Sequence, residues 1–399
     1  MRKIMILGAG MLQLPAIHKA IEMNLEVVAV DMDPGAIGFQ VPGVIREVIS
    51  TIDSNRVLDA ARRHRIDGIM TLASDMPMRT VAKVAEELKL VAISKKSAIK
   101  ATNKAEMRKA LKKNNVPIPH FYVASTYNDF LNAVTSITNL GMKCIIKPID
   151  NSGSRGIQLI EDLSETALKE AFSYSKSYSR SGEIMVEEFM EGQEVSVETV
   201  SISGECKVIQ ITDKITTGAP HFVELGHSQP SQLSPLEQEK IMEVAVAANK
   251  AIGINSGPSH TEIKLTEAGP KVVEIGARLG GDNITTKLVP LSTGIDLVEI
   301  CIRIAIGEEP EIPKSFQRGA AIRYFRQQNG VLQDIKGLEF AKELEGIEQI
   351  SLMYKNGEKI TEIINSTSRL GFVIASGKDA SEAISICEGA LSIIELEIV

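Results

Sequence analysis

Residues 259–283 of the chain read SHTEIKLTEAGPKVVEIGARLGGDN. Two runs that alternate apolar and polar residues, 260–265 and 272–277, flank the turn-rich Glu267-Ala268-Gly269-Pro270, the pattern of a β-hairpin. With the turn centred on Ala268, Glu262 and Glu274 stand directly opposite each other on one face of the two strands. Like charges about 5 Å apart repel by roughly 3 kcal/mol at an effective dielectric of about 20, so the pair calls for a proton or a cation. Hard divalent ions suit that position, and Mg²⁺ commonly takes one or two carboxylates together with substrate phosphates. A surface hairpin with two solvated glutamates has the same local sequence. Arg278, Gly280 and Gly281 just downstream favour the chemical reading, because they add a planar cationic fork and backbone N–H groups open to close approach. Together these residues point to the handling of a phosphorylated species.

The chain has 399 residues, is 44% hydrophobic and carries no long low-complexity tract, which suits two or three globular domains. A formal charge of -7 and a pI near 5.6, with no dense Lys/Arg block, argue against nucleic acid as a partner. Cys144, Cys206, Cys301 and Cys387 are widely spaced, with neither a CxxC nor a Cys/His cluster, so reduced thiols in a cytoplasmic protein are expected. The start, MRKIMILGAG, imitates a signal peptide, but its apolar run stops at Gly8 and is followed by Pro15, His18 and Lys19; it reads as a β-strand. No segment approaches the length of a membrane span.

From the N-terminus, a strand at 3–7, a turn at Gly8-Ala9-Gly10, a helix at 11–23 and a strand at 25–30 ending at Asp31 form a βαβ unit. The alternation continues with a helix at 55–64, a strand at 66–72, a helix at 77–88 and a strand at 90–93, which predicts a doubly wound parallel sheet. The GxG followed by Asp31 admits an NAD(P) reading, as in an oxidoreductase, but Gln13 stands at the third glycine of that fingerprint.

Asn103 and Glu106 form a capping pair for a helix at 103–113 whose first turn holds Lys104. A strand at 142–147 ends in Lys147 and feeds a small-residue loop, Asn151-Ser152-Gly153-Ser154-Arg155-Gly156, ahead of a strand at 157–160. Ser152, Gly153, Ser154 and Gly156 let backbone and hydroxyl donors approach a polyphosphate, and Lys147 supplies a point charge; a plain hairpin connection has similar composition. The stretch 184–190 is apolar around Glu187-Glu188 and continues through Phe189 and Met190 into Gly192-Gln193-Glu194 and a strand at 195–202. It offers backbone groups to an adenine edge, with Glu194 placed for ribose hydroxyls, or else is an ordinary hairpin. Residues 214–232 read as a long polar loop containing His221, Glu224 and His227, a functional lid or a floppy insertion. Ser234, Pro235 and Glu237 then cap a helix that Gly253 closes, and a helix at 295–306 precedes a proline-marked linker. The remainder is a small α+β section with a strand at 320–325, a helix at 340–344, a hairpin at Asn356-Gly357, a strand at 372–376 and a helix at 379–391.

Taken in order, Lys104, Lys147, the glycine loop, VEEFMEGQEVSVE at 186–198 and the Glu262/Glu274 hairpin resemble the ATP-grasp carboxylate-amine ligases, nearly end to end. HFVELGHSQPS, GPSHTEIK, EIGARLGGDN and STSRLGFVIASG look like the L-amino-acid (dipeptide) ligase group. The resemblance implies an α/β and α+β ATP-grasp fold with a Rossmann-like pre-ATP-grasp domain (1–94), an ATP-grasp domain (95–310, lid about 118–190) and a C-terminal domain (311–399) whose role is packing, substrate enclosure or dimerisation. It implies ATP with Mg²⁺ or Mn²⁺, and carboxylate and amine substrates joined through an acyl phosphate. Lys104 and Lys147 then contact phosphates, Glu187, Glu188, Phe189 and Met190 the adenine, Glu194 the ribose, and Glu262 and Glu274 the metal. Glu224 lies near the metal or substrate amine, His227 near substrate, and Arg278 with Gly280 and Gly281 on the acyl-phosphate oxygens. Asp282 borders the substrate pocket and favours a cationic or amine-bearing substrate, unless it merely caps the segment that follows. Relatives with Glu-x-Asn carry asparagine where Gly276 stands, which leaves a third metal ligand unassigned. A bicarbonate-using carboxylase or carbamoyl-phosphate-type enzyme shares the ATP site and is the competing activity.

Overall fold

The computed structural model describes residues 1–151 and 155–399. Strands Lys3–Leu7, Glu26–Asp31, Ile45–Val48 and Gly68–Thr71 form a parallel sheet with Lys3–Leu7 between Glu26–Asp31 and Gly68–Thr71. Their apolar runs are buried between the helices Leu14–Glu22, Ser54–His64 and Pro77–Leu88, as a parallel sheet covered on both faces requires. The C-terminal ends of these strands face the cleft described below, where Leu12, Ala73 and Asp75 line its wall.

The glycine turn is not built for a dinucleotide. Gly8 has φ +99°, and the Gln13 side chain fills the space beside it, its Nε2 donating to the Leu72 carbonyl at 2.7 Å. Asp31 spends its oxygens on the backbone N–H groups of Ala9 (2.9 Å) and Asp33 (3.0 Å). Residues 90–93 are also not a strand. Lys89 ends the preceding helix in the left-handed region, Leu90 N–H returns to the Ala85 carbonyl at 2.8 Å, and Ser94 caps the helix Lys95–Thr102. Leu90 and Ile93 bury themselves against the core without a ladder, which accounts for the apolar run.

The central sheet has eight strands, in the spatial order Gly269–Gly276, Gly257–Thr266, Gln193–Ile202, Glu205–Thr216, Glu224–Gln229, Gly319–Tyr324, Gly371–Gly377 and Ile347–Leu352. Helix Pro235–Ile252 packs on it; Ser234 and Glu237 form the expected capping box, and Gly253 (φ +86°) ends the helix. The expected loop 214–232 contains a strand of the central sheet: Glu224–Gln229 pairs with Glu205–Thr216 on one side, Lys214 opposite His227, and with Gly319–Tyr324 on the other. Residues 217–223 and 230–232 lie outside the ladder, and Glu224 and His227 sit on a strand paired on both sides. The polar composition hid a strand whose His227, Ser228 and Gln229 are buried.

Three C-terminal strands thus extend the central sheet. The turn at Gly357 (φ +89°) does not make a hairpin of its neighbours: Lys359–Ile360 pairs with Gly330–Lys336, which in turn pairs with Glu395–Ile398. Within the segment expected as a lid, Phe121–Ala124, Ile184–Glu188, Cys144–Pro148 and Gln158–Ile160 form a separate sheet. Helices Tyr127–Thr138 and Glu165–Ser177 cover it around Phe130, Ile137 and Ile146. The four cysteines are unpaired, and among the described residues no helix is long and apolar enough to cross a membrane.

Candidate active site

The two glutamates that anchor the site are opposed, and a bulge makes them so. The hairpin turn spans two residues, with Thr266 opposite Gly269 and Ile263 opposite Val272; continued without interruption, that register would set Glu262 against Val273. A bulge at Val273 shifts the ladder by one, and Glu262 faces Glu274. The Val273 carbonyl released by the bulge accepts from Arg108 Nη2 at 2.7 Å. Each carboxylate is offset by a lysine: Lys104 Nζ donates to Glu274 at 2.8 Å and to the Asn151 carbonyl at 2.9 Å, and Lys214 Nζ donates to Glu262 at 3.0 Å. Lys214 also reaches Glu194 at 2.7 Å and lies 3.9 Å from Glu224. Burial pulls its pKa down, but the three carboxylates outweigh it and hold the ammonium well above its ordinary range. Behind Glu262, His260 Nδ1 pairs with buried Glu198 at 2.5 Å; burial opposes its charge, yet Glu198 and Glu262 raise its pKa to about 9.

These groups line one cleft of about 380 Å³ between the N-terminal sheet, the central sheet and the segment 121–188. At one end Lys147, 6% exposed, pairs with Glu187 at 2.5 Å, and Arg108 holds the same carboxylate at 2.5 and 3.2 Å. Glu187 therefore positions two cations. Burial raises its pKa, but Arg108 and Lys147 overcome that and lower it from 4.5 to about 2. Glu188 accepts from Lys271 Nζ at 2.7 Å and His120 N–H at 3.1 Å. Phe189 and Met190 line the cleft, with the Phe222 ring 6.1 Å from that of Phe189. Gly156 (φ +78°) lies against Tyr178, and Ser152, Gly153 and Ser154 lie outside the described residues.

Two electrostatic predictions arise from this end. Arg108→Met leaves Glu187 with one counter-cation, and breaking a buried pair by removing one partner costs about 3–5 kcal/mol; urea denaturation should show a correspondingly lower midpoint. Because the folded carboxyl of Glu187 titrates at about 2 rather than 4.5, its contribution is complete above 4.5 and disappears as pH falls through 2. The unfolded chain takes up that proton first, so wild type should lose stability more steeply than Glu187→Gln across this window.

At the other end Arg278 is paired with Asp75, in the loop that follows strand Gly68–Thr71, and Gly281 lines the cleft, whereas Gly280 packs against His260 and Glu198. Asp282 gives both oxygens to Arg369, at 2.7 and 2.8 Å, and lies 3.4 Å from His227 Nε2. Burial raises its pKa, but the bonds from Arg369 and His227 hold it well below the usual carboxylate range. It makes no capping bond to the segment Ile284–Leu288. Arg369 stacks 3.7 Å over the Tyr324 ring and donates to the Ser366 and Glu224 carbonyls. Asp282 and Asn283, with φ +50° and +61°, and Ala73, with φ +58°, hold left-handed conformations that non-glycine residues seldom adopt.

The separate sheets that close around this one cleft form the ATP-grasp fold. Residues 140–287 match the ATP-grasp domain, and residues 323–399 match the L-amino acid ligase C-terminal domain 2. The uncharacterized protein y4rH of Sinorhizobium fredii is 30% identical over 82% of this chain and 68% of its own length. The L-arginine-specific L-amino acid ligase of Bacillus subtilis is 25% identical over 73% of this chain and 71% of its own. The L-amino acid ligase of Bacillus licheniformis shares the fold, with a TM-score of 0.84 over 100% of this chain and 99% of that one at 24% identity. The chain belongs to the ATP-grasp L-amino acid ligase family.

Asp75, Lys214 and Arg369 were not singled out from the sequence. Arg369 lies in the STSRLGFVIASG stretch, and Lys214 follows the apolar Ile209 and Ile211 on the same strand with no local sign that its ammonium is buried. Asp75 had no local signal.

Proposed function

We propose that the protein joins an amino acid, as carboxylate substrate, to an amine, with ATP converted to ADP and phosphate through an acyl phosphate. The opposed carboxylates of Glu262 and Glu274 carry this reading: they are hard oxygen donors that face each other, balanced in this structure by Lys214 and Lys104, in a cleft that also holds Lys147 and Arg278. Hard oxygen donors of this kind fit Mg²⁺, and accept Mn²⁺. Among the described residues no third His, Cys, Asp or Glu joins them, which suits an ion completed by phosphates and water. When bound, the ion would neutralise charge on the phosphates.

Lys104 and Lys147 hold phosphate oxygens, Phe189 and Met190 line the adenine end, and Glu194 receives the ribose. A carboxylate is a poor electrophile, and phosphorylation supplies its leaving group. Arg278 and the backbone at Gly280 and Gly281 stabilise the transferred phosphoryl and the oxyanion that forms when the amine attacks. No covalent enzyme nucleophile is needed. Glu224 and His227 border the substrates from the sheet, and Asp282 shapes the pocket beside them.

A phosphate-release screen over pairs of amino acids, with product masses, tests the reading: a condensed product of matching mass is expected. ADP release that depends on bicarbonate alone would replace it with a carboxylating activity. Lys147→Ala should weaken ATP binding about tenfold, since a buried charged contact to phosphate is worth about 1.5 kcal/mol. Calorimetry showing equal ATP affinity in wild type and variant would remove Lys147 from the phosphate site.

A further inference from the structure

We infer that Asp75 is a positioning residue that aims Arg278, and that its carboxylate stands in the space a side chain at position 276 would need. The inference rests on the ligase reading for the role of Arg278, but its geometry stands apart from that reading. Arg278 Nε donates to Asp75 Oδ1 at 2.9 Å and Nη2 to Oδ2 at 3.3 Å, while Nη1 reaches the Leu279 carbonyl at 3.3 Å. All three nitrogens of the fork are thus held, and its plane is fixed. Both side chains are about 15% exposed, so water screens the pair far less than it would a surface bridge.

The loop carrying Asp75 is docked by backbone as well. Leu72 bridges Leu279 in parallel, Ala73 N–H donates to the Leu279 carbonyl at 3.3 Å, and Gln13 holds the Leu72 carbonyl. Ala73 takes a left-handed conformation, and a Cβ at Gly281 would meet its Cβ at 3.5 Å. A Cβ built on Gly276 falls 2.7 Å from Asp75 Oδ1 and 3.3 Å from Arg278 Cζ and Nε. Position 276 is two residues after Glu274, at the end of the strand that carries it. An asparagine there would push the Asp75 carboxylate out of the position in which it pairs with Arg278, so in this chain the N-terminal domain supplies the polar group beside Glu274. The arginine fork is assembled only when that domain is docked.

The test uses Asp75→Ala, Gly276→Asn and the double variant. Each single change should lower kcat/KM for the amino-acid substrate about 10- to 100-fold, because a misaimed catalytic group costs on that order. ATP affinity by calorimetry should stay within about twofold. In the double variant the asparagine amide oxygen can accept from Arg278 without meeting Asp75, so kcat/KM should recover by at least about fivefold over the poorer single variant. A merely structural contact gives losses that add, and additive losses overturn the inference. Amide hydrogen exchange over residues 276–281, measured on the full chain, reads positioning without turnover: faster exchange in Asp75→Ala and recovery in the double variant are expected. If no amino-acid pair reacts but exchange behaves in this way, the ligase reading fails and the positioning stands. Unchanged exchange and unchanged kcat/KM in Asp75→Ala would sink the positioning itself, whether or not Gly276→Asn folds.

Discussion

Glu274→Gln is expected to lower ATP-dependent turnover by about 10²–10³-fold while changing ATP affinity by less than about tenfold. The amide keeps the shape of the side chain, and its carbonyl can still accept from Lys104, which is also anchored on the Asn151 carbonyl. What is lost is one negative charge facing Glu262 across the bulged ladder. That charge matters most while phosphate is moving, because an interaction present only then appears in kcat, whereas ground-state contacts appear in the binding constant. Single-turnover phosphate release and calorimetric ATP titration separate the two. Near-normal turnover at saturating Mg²⁺ would remove Glu274 from the metal pair, and with it the observation on which the proposed activity stands.

The hairpin was legible because its elements are local: alternation, a turn, and two carboxylates equidistant from it. The route differed, since a turn centred on Ala268 and a two-residue turn followed by a bulge at Val273 set the same pair opposite each other. A bulge has no sequence signal here, and the carbonyl it frees is satisfied by Arg108, 165 residues away. Charge partners at such separations are what local reading cannot supply. In sequence Glu187 is expected at the adenine and Asp282 at the border of the substrate pocket or as a cap, and neither reading supplies the arginine from a distant element that holds it. The strand Glu224–Gln229 was masked for a related reason: its polar residues are satisfied by strands on both sides, so their burial leaves no apolar pattern. The parallel N-terminal sheet, whose apolar runs do carry such a pattern, was readable except at residues 90–93, where helix caps on both sides convert an apolar run into a connection.

Arg278→Ala should abolish activity with every substrate, by about 10²–10³-fold, whereas Asp282→Asn should change which substrate is preferred. Arg278 stands two residues beyond Gly276, the end of the strand that carries Glu274, where the proposed reaction puts the phosphoryl common to all substrates, so its loss is expected to be indifferent to side-chain identity. Asp282 is different because its charge is already balanced. Arg369 takes both its oxygens, and what a substrate meets there is a neutral pair backed by Tyr324. Substituting asparagine removes the counter-charge but keeps one acceptor for Arg369, so the pocket gains net positive character without losing its shape. Acidic amino acids should then gain on basic ones by about 1–3 kcal/mol, roughly 5- to 150-fold in the ratio of kcat/KM. Arg369→Met should move the ratio the other way, because Asp282 is then unpaired and draws ammonium groups. The comparison is kcat/KM for basic, neutral and acidic amino acids in wild type and the three variants. An unchanged ranking in both Asp282→Asn and Arg369→Met would dismiss this pair as the selector, and full activity in Arg278→Ala would dismiss the arginine from the reaction.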